Sequence, residues 1–258
     1  MSKYGDIAEV LYSYYQRLIV EYPEEALVGV WLFGSQNYGM DGPDSDIDAK
    51  AIYVPSIEQM VNLKEPVSRI IETPTGNIEV KDVRSMWKMW KKQNINFLEI
   101  LYTDFYLTNA GYTDKWEEVL RIADRISQYN PVYTFNSIRG QTLNTLKYQE
   151  ITGKKVANAA RFIDFLRKYS QEIDYRTCIK VSPAFKEKWL PIKLANEVIY
   201  KNDPMVIELL ENLEEIYIEG FERWKNFSPK NSHNEITDAF MTKWMISLVE
   251  KRTKNLTF

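Results

Sequence analysis

Apolar residues first recur at helical spacing, at Ile7, Val10, Leu11, Tyr14, Tyr15 and Leu18, and the pattern stops before Pro23. This predicts an amphipathic helix over residues 6–20. The period then changes. "ALVGVWLF" (26–33) is a nearly continuous apolar run closed by glycine, as expected of a strand buried on both faces, and "IDAKAIYV" (47–54) is a second strand stopped by Pro55. "RIIET" and "NIEVKDV" flank Pro74-Thr75-Gly76 as the arms of a hairpin, after which Val83, Met86, Trp87 and Trp90 restore the helical period.

Past residue 110 only helical patterns are read, over 115–128, 134–150, 154–175, 192–201, 204–225 and 237–251. Turn residues cluster in "TNAGYTD" (108–114) and mark the break. The expectation is an α/β (α+β) fold, a mixed sheet with flanking helices followed by a mostly α-helical carboxyl-terminal region. The predicted domains are 1–110 and 111–258.

The chain has 258 residues, 45% of them hydrophobic, enough for a sizeable core. Its 33 basic and 36 acidic residues give a net charge of -3, so it lacks the broad basic field of non-specific nucleic-acid binders, and an RNA or DNA partner would meet a local patch. One cysteine, Cys178, excludes an internal disulfide framework. One histidine, His233, excludes a Cys/His zinc site and a Ser-His or Cys-His nucleophile pair. "MSKYGDIAEVLYSYY" does not read as a secretory leader, and no segment approaches the ~20 apolar residues of a membrane span. A soluble cytoplasmic protein without membrane partners is expected.

The candidate chemistry sits in "WLFGSQNYGMDGPDSDIDAK" (31–50). A glycine ending a buried strand lets backbone approach a ligand, and a following helix start favours phosphate; Gly34 and Ser35 occupy such a junction. Strand alternation turns Asp46 and Asp48 to one side and Ile47 to the core. Two adjacent carboxylates repel unless a cation lies between them, and magnesium held by carboxylates and substrate phosphates resolves that repulsion. The plainer alternative is a solvated acidic turn.

"GSQNYG" followed by "DSDID" resembles the signature of the DNA polymerase β nucleotidyltransferase superfamily. "VKDVRSMWKMWKKQNINFLEILYTDF" (80–105) and "GKKVANAARFIDFLR" (153–167) are similar to later blocks of a phage and bacterial nucleotidyltransferase group. The resemblance spans roughly residues 27–170. It implies that Gly34 and Ser35 hold a nucleoside triphosphate, that Asp46 and Asp48 hold magnesium, and that a third carboxylate stands on a neighbouring strand. Glu79, turned away from the side of Ile78 and Val80, is favoured over Asp82, which has a ready role as a helix cap. The resemblance also implies that Lys154 and Arg161 contact nucleotide phosphates; their i to i+7 spacing shares a helical face, although the polar face of an ordinary helix would look the same. Ala157 and Asn158 depart from the histidine that relatives often carry in this block.

The expected activity is transfer of a nucleoside monophosphate to an acceptor hydroxyl with release of pyrophosphate, by two magnesium ions on Asp46, Asp48 and Glu79. An RNA end such as that of tRNA ranks first as acceptor and a protein side chain second. The alternative is a non-catalytic nucleotide-binding regulator or antitoxin-like partner of the same fold. Trp87 and Trp90 are expected in the core, Lys91 and Lys92 at a solvated helix end and His233 in a loop. Tyr38 is left open between stacking on a base and closing its loop onto the core.

Overall fold

The structure is a computed structural model and describes residues 6–227 and 232–255. Met1 to Gly5 of the amino-terminal segment lie outside the described residues. Helix α1 (Ile7–Glu21) starts at Asp6, whose carboxylate accepts the Ala8 N–H, and ends in extended backbone at Tyr22 because Pro23 follows. Strand β1 (Leu27–Phe33) leads through Gly34 into the single turn α2 (Ser35–Tyr38), and β2 (Asp48–Tyr53) follows. The short helix α3 (Ile57–Val61), opened by a Ser56/Gln59 capping box, precedes the hairpin of β3 (Ser68–Thr73) and β4 (Gly76–Asp82).

Helix α4 (Val83–Lys91), the turn α5 (Ile95–Leu98) and the short strand β5 (Tyr106–Thr108) complete the first half. The five strands form one mixed sheet in the order β3-β4-β2-β1-β5, with β2 and β4 parallel and the other pairs antiparallel. The expected hairpin and strands are present; β5 was not anticipated, because three residues beside a turn carry no period.

The remaining chain forms α6 (Thr113–Leu120), α7 (Ala123–Ser127), α8 (Pro131–Leu146), β6 (Glu150–Thr152), α9 (Gly153–Ser170), α10 (Tyr175–Ile179), α11 (Pro183–Ala195), β7 (Val198–Tyr200), α12 (Pro204–Trp224) and α13 (Ser232–Asn255). Two expectations are corrected. The second half is not purely helical, since β6 and β7 pair antiparallel as a small ribbon. The helix read over 192–201 is instead α11: Ser182 caps it by accepting the Phe185 N–H, Pro183 opens it, and Pro191 is tolerated inside it. Residues 198–200 belong to the ribbon. His233 lies in the first turn of α13, not in a loop.

Alternation divides the sheet into two unlike faces. Leu27, Val30, Leu32, Ala49, Ala51, Tyr53, Ile78 and Val80 bury against α1. The opposite face carries Val28, Trp31 and Ile52 into a second core that continues through the helical half. Trp31 packs on Trp116 at 4.4 Å between ring centroids, and Trp90 bridges Trp116 and Trp244 at 6.5 and 6.4 Å, joining the sheet to α4, α6 and α13. Trp87 and Trp90 are buried, as expected of core residues, whereas Lys91 is ion-paired with Asp238 of α13 at 2.9 Å. No described helix is long and apolar enough to cross a membrane.

Candidate active site

The residues that open β2 are held in place from two sides. Ile47 is fully buried; its N–H donates to the Thr75 carbonyl at 2.9 Å, and its own carbonyl accepts the Tyr14 hydroxyl at 2.8 Å. Gly76 lies so close to Ile47 that a Cβ there would fall 2.3 Å from the Ile47 carbonyl oxygen. Helix α1 and the β3–β4 turn thus pin Ile47 and direct Asp46 and Asp48 into a cleft of about 770 Å³ over the charged face of the sheet.

Gly34 adopts φ 82° and ψ -155°, backbone open only to glycine, and turns the chain from β1 into α2 beside Asp48. Gly34, Ser35, Asp46, Asp48, Glu79, Lys154 and Arg161 all line the cleft. Asp46 is exposed and Asp48 half-buried. The Asp48 carboxyl is raised above its usual range, first by burial and then by the charge of Asp46, while the Asn77 N–H at 3.1 Å and Lys154 oppose the rise. The pair is therefore a repelling couple on the cleft wall, the electrostatic setting that a hard divalent cation relieves.

Glu79 reaches the same cleft and stands opposite Lys50 in the β2–β4 register. Its carboxylate is paired with the Lys50 ammonium and with Lys81 at 3.2 Å, and these pairs outweigh burial to lower its pKa. Among the described residues no three acids gather as a metal-binding group. Asp46 and Asp48 fit a cation; Glu79 lines the same cleft, where it is paired with Lys50 and Lys81. Asp82 is fully buried outside the cleft, capping α4 through the Arg84 N–H and binding the Arg84 guanidinium at 2.7 and 2.9 Å.

Lys154, Asn158 and Arg161 fall on the face of α9 that lines the cleft. Lys154 is exposed at the helix start, but Arg161 is only 4% exposed and is no solvated surface residue. Its guanidinium stacks 3.8 Å from the centroid of Tyr38, and its Nε and Nη1 are buried without a hydrogen-bond partner. Unpaired buried donors cost ~1–3 kcal/mol each, a cost that a bound anion removes. Tyr38 is buried beneath this arginine and donates its hydroxyl to Asn158 Oδ1 at 3.3 Å, so it closes its loop onto the core.

Several cleft residues escaped the sequence reading. Glu99 is 1% exposed, accepts the Gly34 N–H at 2.9 Å, and has its carboxyl raised first by burial, against the lowering charge of Arg161. The signal was available: an acid within the apolar run "NFLEILY" requires a reason. Lys50, inside the apolar strand β2, carried the same signal. Lys193 and Asn196, by contrast, come from α11 and its cap and have no local mark. Helix α11 clasps the 38–42 loop through a Lys193 bond to the Met40 carbonyl and a Lys186–Asp41 pair at 3.2 Å, while Asn196 Oδ1 accepts the Lys154 N–H at 3.0 Å.

A model of the RNA repair pathway DNA polymerase beta family matches residues 26–163. Among solved structures, a nucleotidyltransferase-like protein from Exiguobacterium sibiricum 255-15 is 12% identical, with 97% of this chain and 92% of that chain covered and a TM-score of 0.31. No curated protein matches the chain.

Proposed function

This chain belongs to the RNA repair pathway DNA polymerase beta family, and on that premise we propose that it transfers a nucleoside monophosphate from a nucleoside triphosphate to an acceptor hydroxyl, releasing pyrophosphate. One observation carries the reading: in a single cleft, the repelling Asp46 and Asp48 face a buried Arg161 whose donors lack partners. One wall suits a cation and the other suits phosphate.

Asp46 and Asp48 would hold a magnesium ion, which would supply charge neutralisation for the carboxylates and phosphate and a lowered pKa for an attacking hydroxyl. Arg161, Lys154 and Lys193 draw the triphosphate to the far wall, and Ser35 at the Gly34 turn orients it from the strand side. The acceptor oxygen bonds to the α-phosphorus as the bond to the bridging oxygen breaks; the hydroxyl proton is lost to solvent. Positioning and charge perform this chemistry, so the lone His233 is not needed.

Residues 1–110 act as the catalytic unit and 111–258 as the helical unit that closes over the nucleotide and selects the acceptor. The RNA repair description of the family supports an RNA end as acceptor ahead of a protein side chain. A near-neutral chain needs only a few phosphate contacts to hold one RNA end.

The test incubates the protein with magnesium, each α-labelled nucleoside triphosphate, total RNA and cell extract, beside Asp46→Asn/Asp48→Asn. Label entering RNA only with the aspartates intact is the expected result. Nucleotide binding without pyrophosphate release or labelled acceptor would instead support a regulator.

A further inference from the structure

A lysine in the middle of β2 is out of keeping with a strand whose neighbours Ala49, Ala51 and Ile52 are fully buried. Lys50 is itself 1% exposed. Its ammonium bonds the Glu79 carboxylate, and it lies 3.9 Å from the ring centroid of Phe33 and 4.1 Å from that of Phe97. Two aromatic faces and a carboxylate thus hold one positive charge fixed in the cleft wall. Strand alternation sets Lys50 on the same side as Asp48, and the parallel register sets it directly opposite Glu79. The ammonium is therefore tied to Glu79 on the same side of the sheet that carries Asp48.

As a structural device this pair is a poor choice. Withdrawing two charges from water is costly, and a well-packed apolar pair of similar volume would hold β2 against β4 at least as well. A fixed cation on the face that carries Asp48 has a chemical use, however, because Asp44, Asp46, Asp48, Glu79 and Glu99 all line the cleft, more negative charge than one divalent ion neutralises.

We propose that Lys50 is a built-in cation that takes the place of one of two metal ions: it keeps Glu79 out of the donor set, and the site loads a single divalent ion on Asp46 and Asp48. This rests on the nucleotidyltransferase reading. Lys50 is a positioning residue for Glu79 and a fixed counter-charge for the triphosphate, and it forms no bond to the reacting atoms.

Manganese binding, measured by electron paramagnetic resonance with non-hydrolysable α,β-methylene triphosphates of each base, tests it without any turnover. The expected counts are one ion per chain in the wild type, one in Glu79→Gln with unchanged affinity, and none in Asp46→Asn/Asp48→Asn. Lys50→Met, which frees Glu79, is expected to take two. Should Lys50→Met fail to fold, Glu79→Gln still decides. Two ions in the wild type, or a loss in Glu79→Gln as deep as in the double aspartate variant, overturns the inference alone. A wild-type chain that takes up no manganese under any condition overturns the nucleotidyltransferase reading and this inference with it.

Discussion

Replacing Gly153 by alanine tests whether the cleft depends on a backbone contact far from its chemistry. Gly153 opens α9 and donates its N–H to the Glu197 carbonyl at 2.9 Å. A Cβ there would meet the Ile192 carbonyl oxygen at 2.2 Å, with the Ile192 carbonyl carbon at 3.2 Å and the Asn196 Cα at 3.3 Å. Ordinary carbon contacts lie near ~3.5–4.0 Å, so the end of α11 must retreat by about 1 Å. Overpacking of this kind costs ~1–3 kcal/mol. The bonds from the Gly153 N–H to Glu197 and from the Lys154 N–H to Asn196 weaken as well, whereas alanine returns at most ~1 kcal/mol of helix propensity. The net expectation is a loss of ~2 kcal/mol, which in a chain of this size lowers the melting temperature by ~4–8 °C. Lys193 and Asn196 move with α11, so nucleotide affinity is expected to fall about tenfold, the equivalent of ~1.4 kcal/mol. Gly140→Ala is the control: nothing lies within 4 Å of its Cβ position, it is exposed within α8, and the substitution is expected to raise stability by ~1 kcal/mol. Urea unfolding and fluorescence titration with each triphosphate read both variants. If Gly153→Ala melts and binds like the wild type while Gly140→Ala behaves as expected, the close approach of α9 to α11 does not set the cleft.

Arg161→Met is expected to weaken triphosphate binding ~10–100-fold by equilibrium titration, since each charge-assisted bond contributes ~1.5–3 kcal/mol; unchanged affinity would return Arg161 to a packing role. The Lys193 ammonium is lowered to about 8, first by burial and then by Lys154, against the pull of Asp41. Folding therefore opposes its charge fully below about pH 8, and that penalty lifts as pH climbs towards the unfolded value of ~10.4. The attraction for phosphate is lost over the same rise, so triphosphate affinity should decline above about pH 8 in the wild type more steeply than in Lys193→Met; parallel pH profiles would remove Lys193 from the site. Asp48→Asn is expected to abolish transfer and yet raise stability near neutral pH, because the fold disfavours that charge. Its sign follows from the raised carboxyl: the penalty exists above the folded pKa and vanishes as pH falls through it, so the stability gain should disappear in acid, as melting curves across pH would reveal.

The local signals in the chain were enough for the main sheet strands and for the aspartate pair. Apolar runs bounded by Gly34, Pro55 and the Pro74-Thr75-Gly76 turn define β1, β2 and the β3–β4 hairpin. Period-2 alternation alone separates Asp48 from Ala49 and Glu79 from Val80, because side-chain direction in a strand is a local property. Helical spacing likewise sets Lys154 and Arg161 on one face of α9.

Tertiary structure decided the rest. The pairing of β6 with β7 joins segments that are too short to carry a period, and Gly153, just after β6, leaves room for the end of α11 to approach α9. Lys193 and Asn196 reach the cleft only through that packing. Burial is not a property of a residue type, so Arg161 reads as a solvated helix face until Tyr38 and Glu99 close around it. Lys50 and Glu79 share the same logic: each strand declares its own charge, but only the register of β2 against β4 sets the two opposite each other, with Lys50 buried and Glu79 at the cleft wall. The sequence by itself determined which side of each strand carries charge, since alternation is local; which charges meet, and which stay free for a ligand, was decided by contacts between segments far apart in the chain.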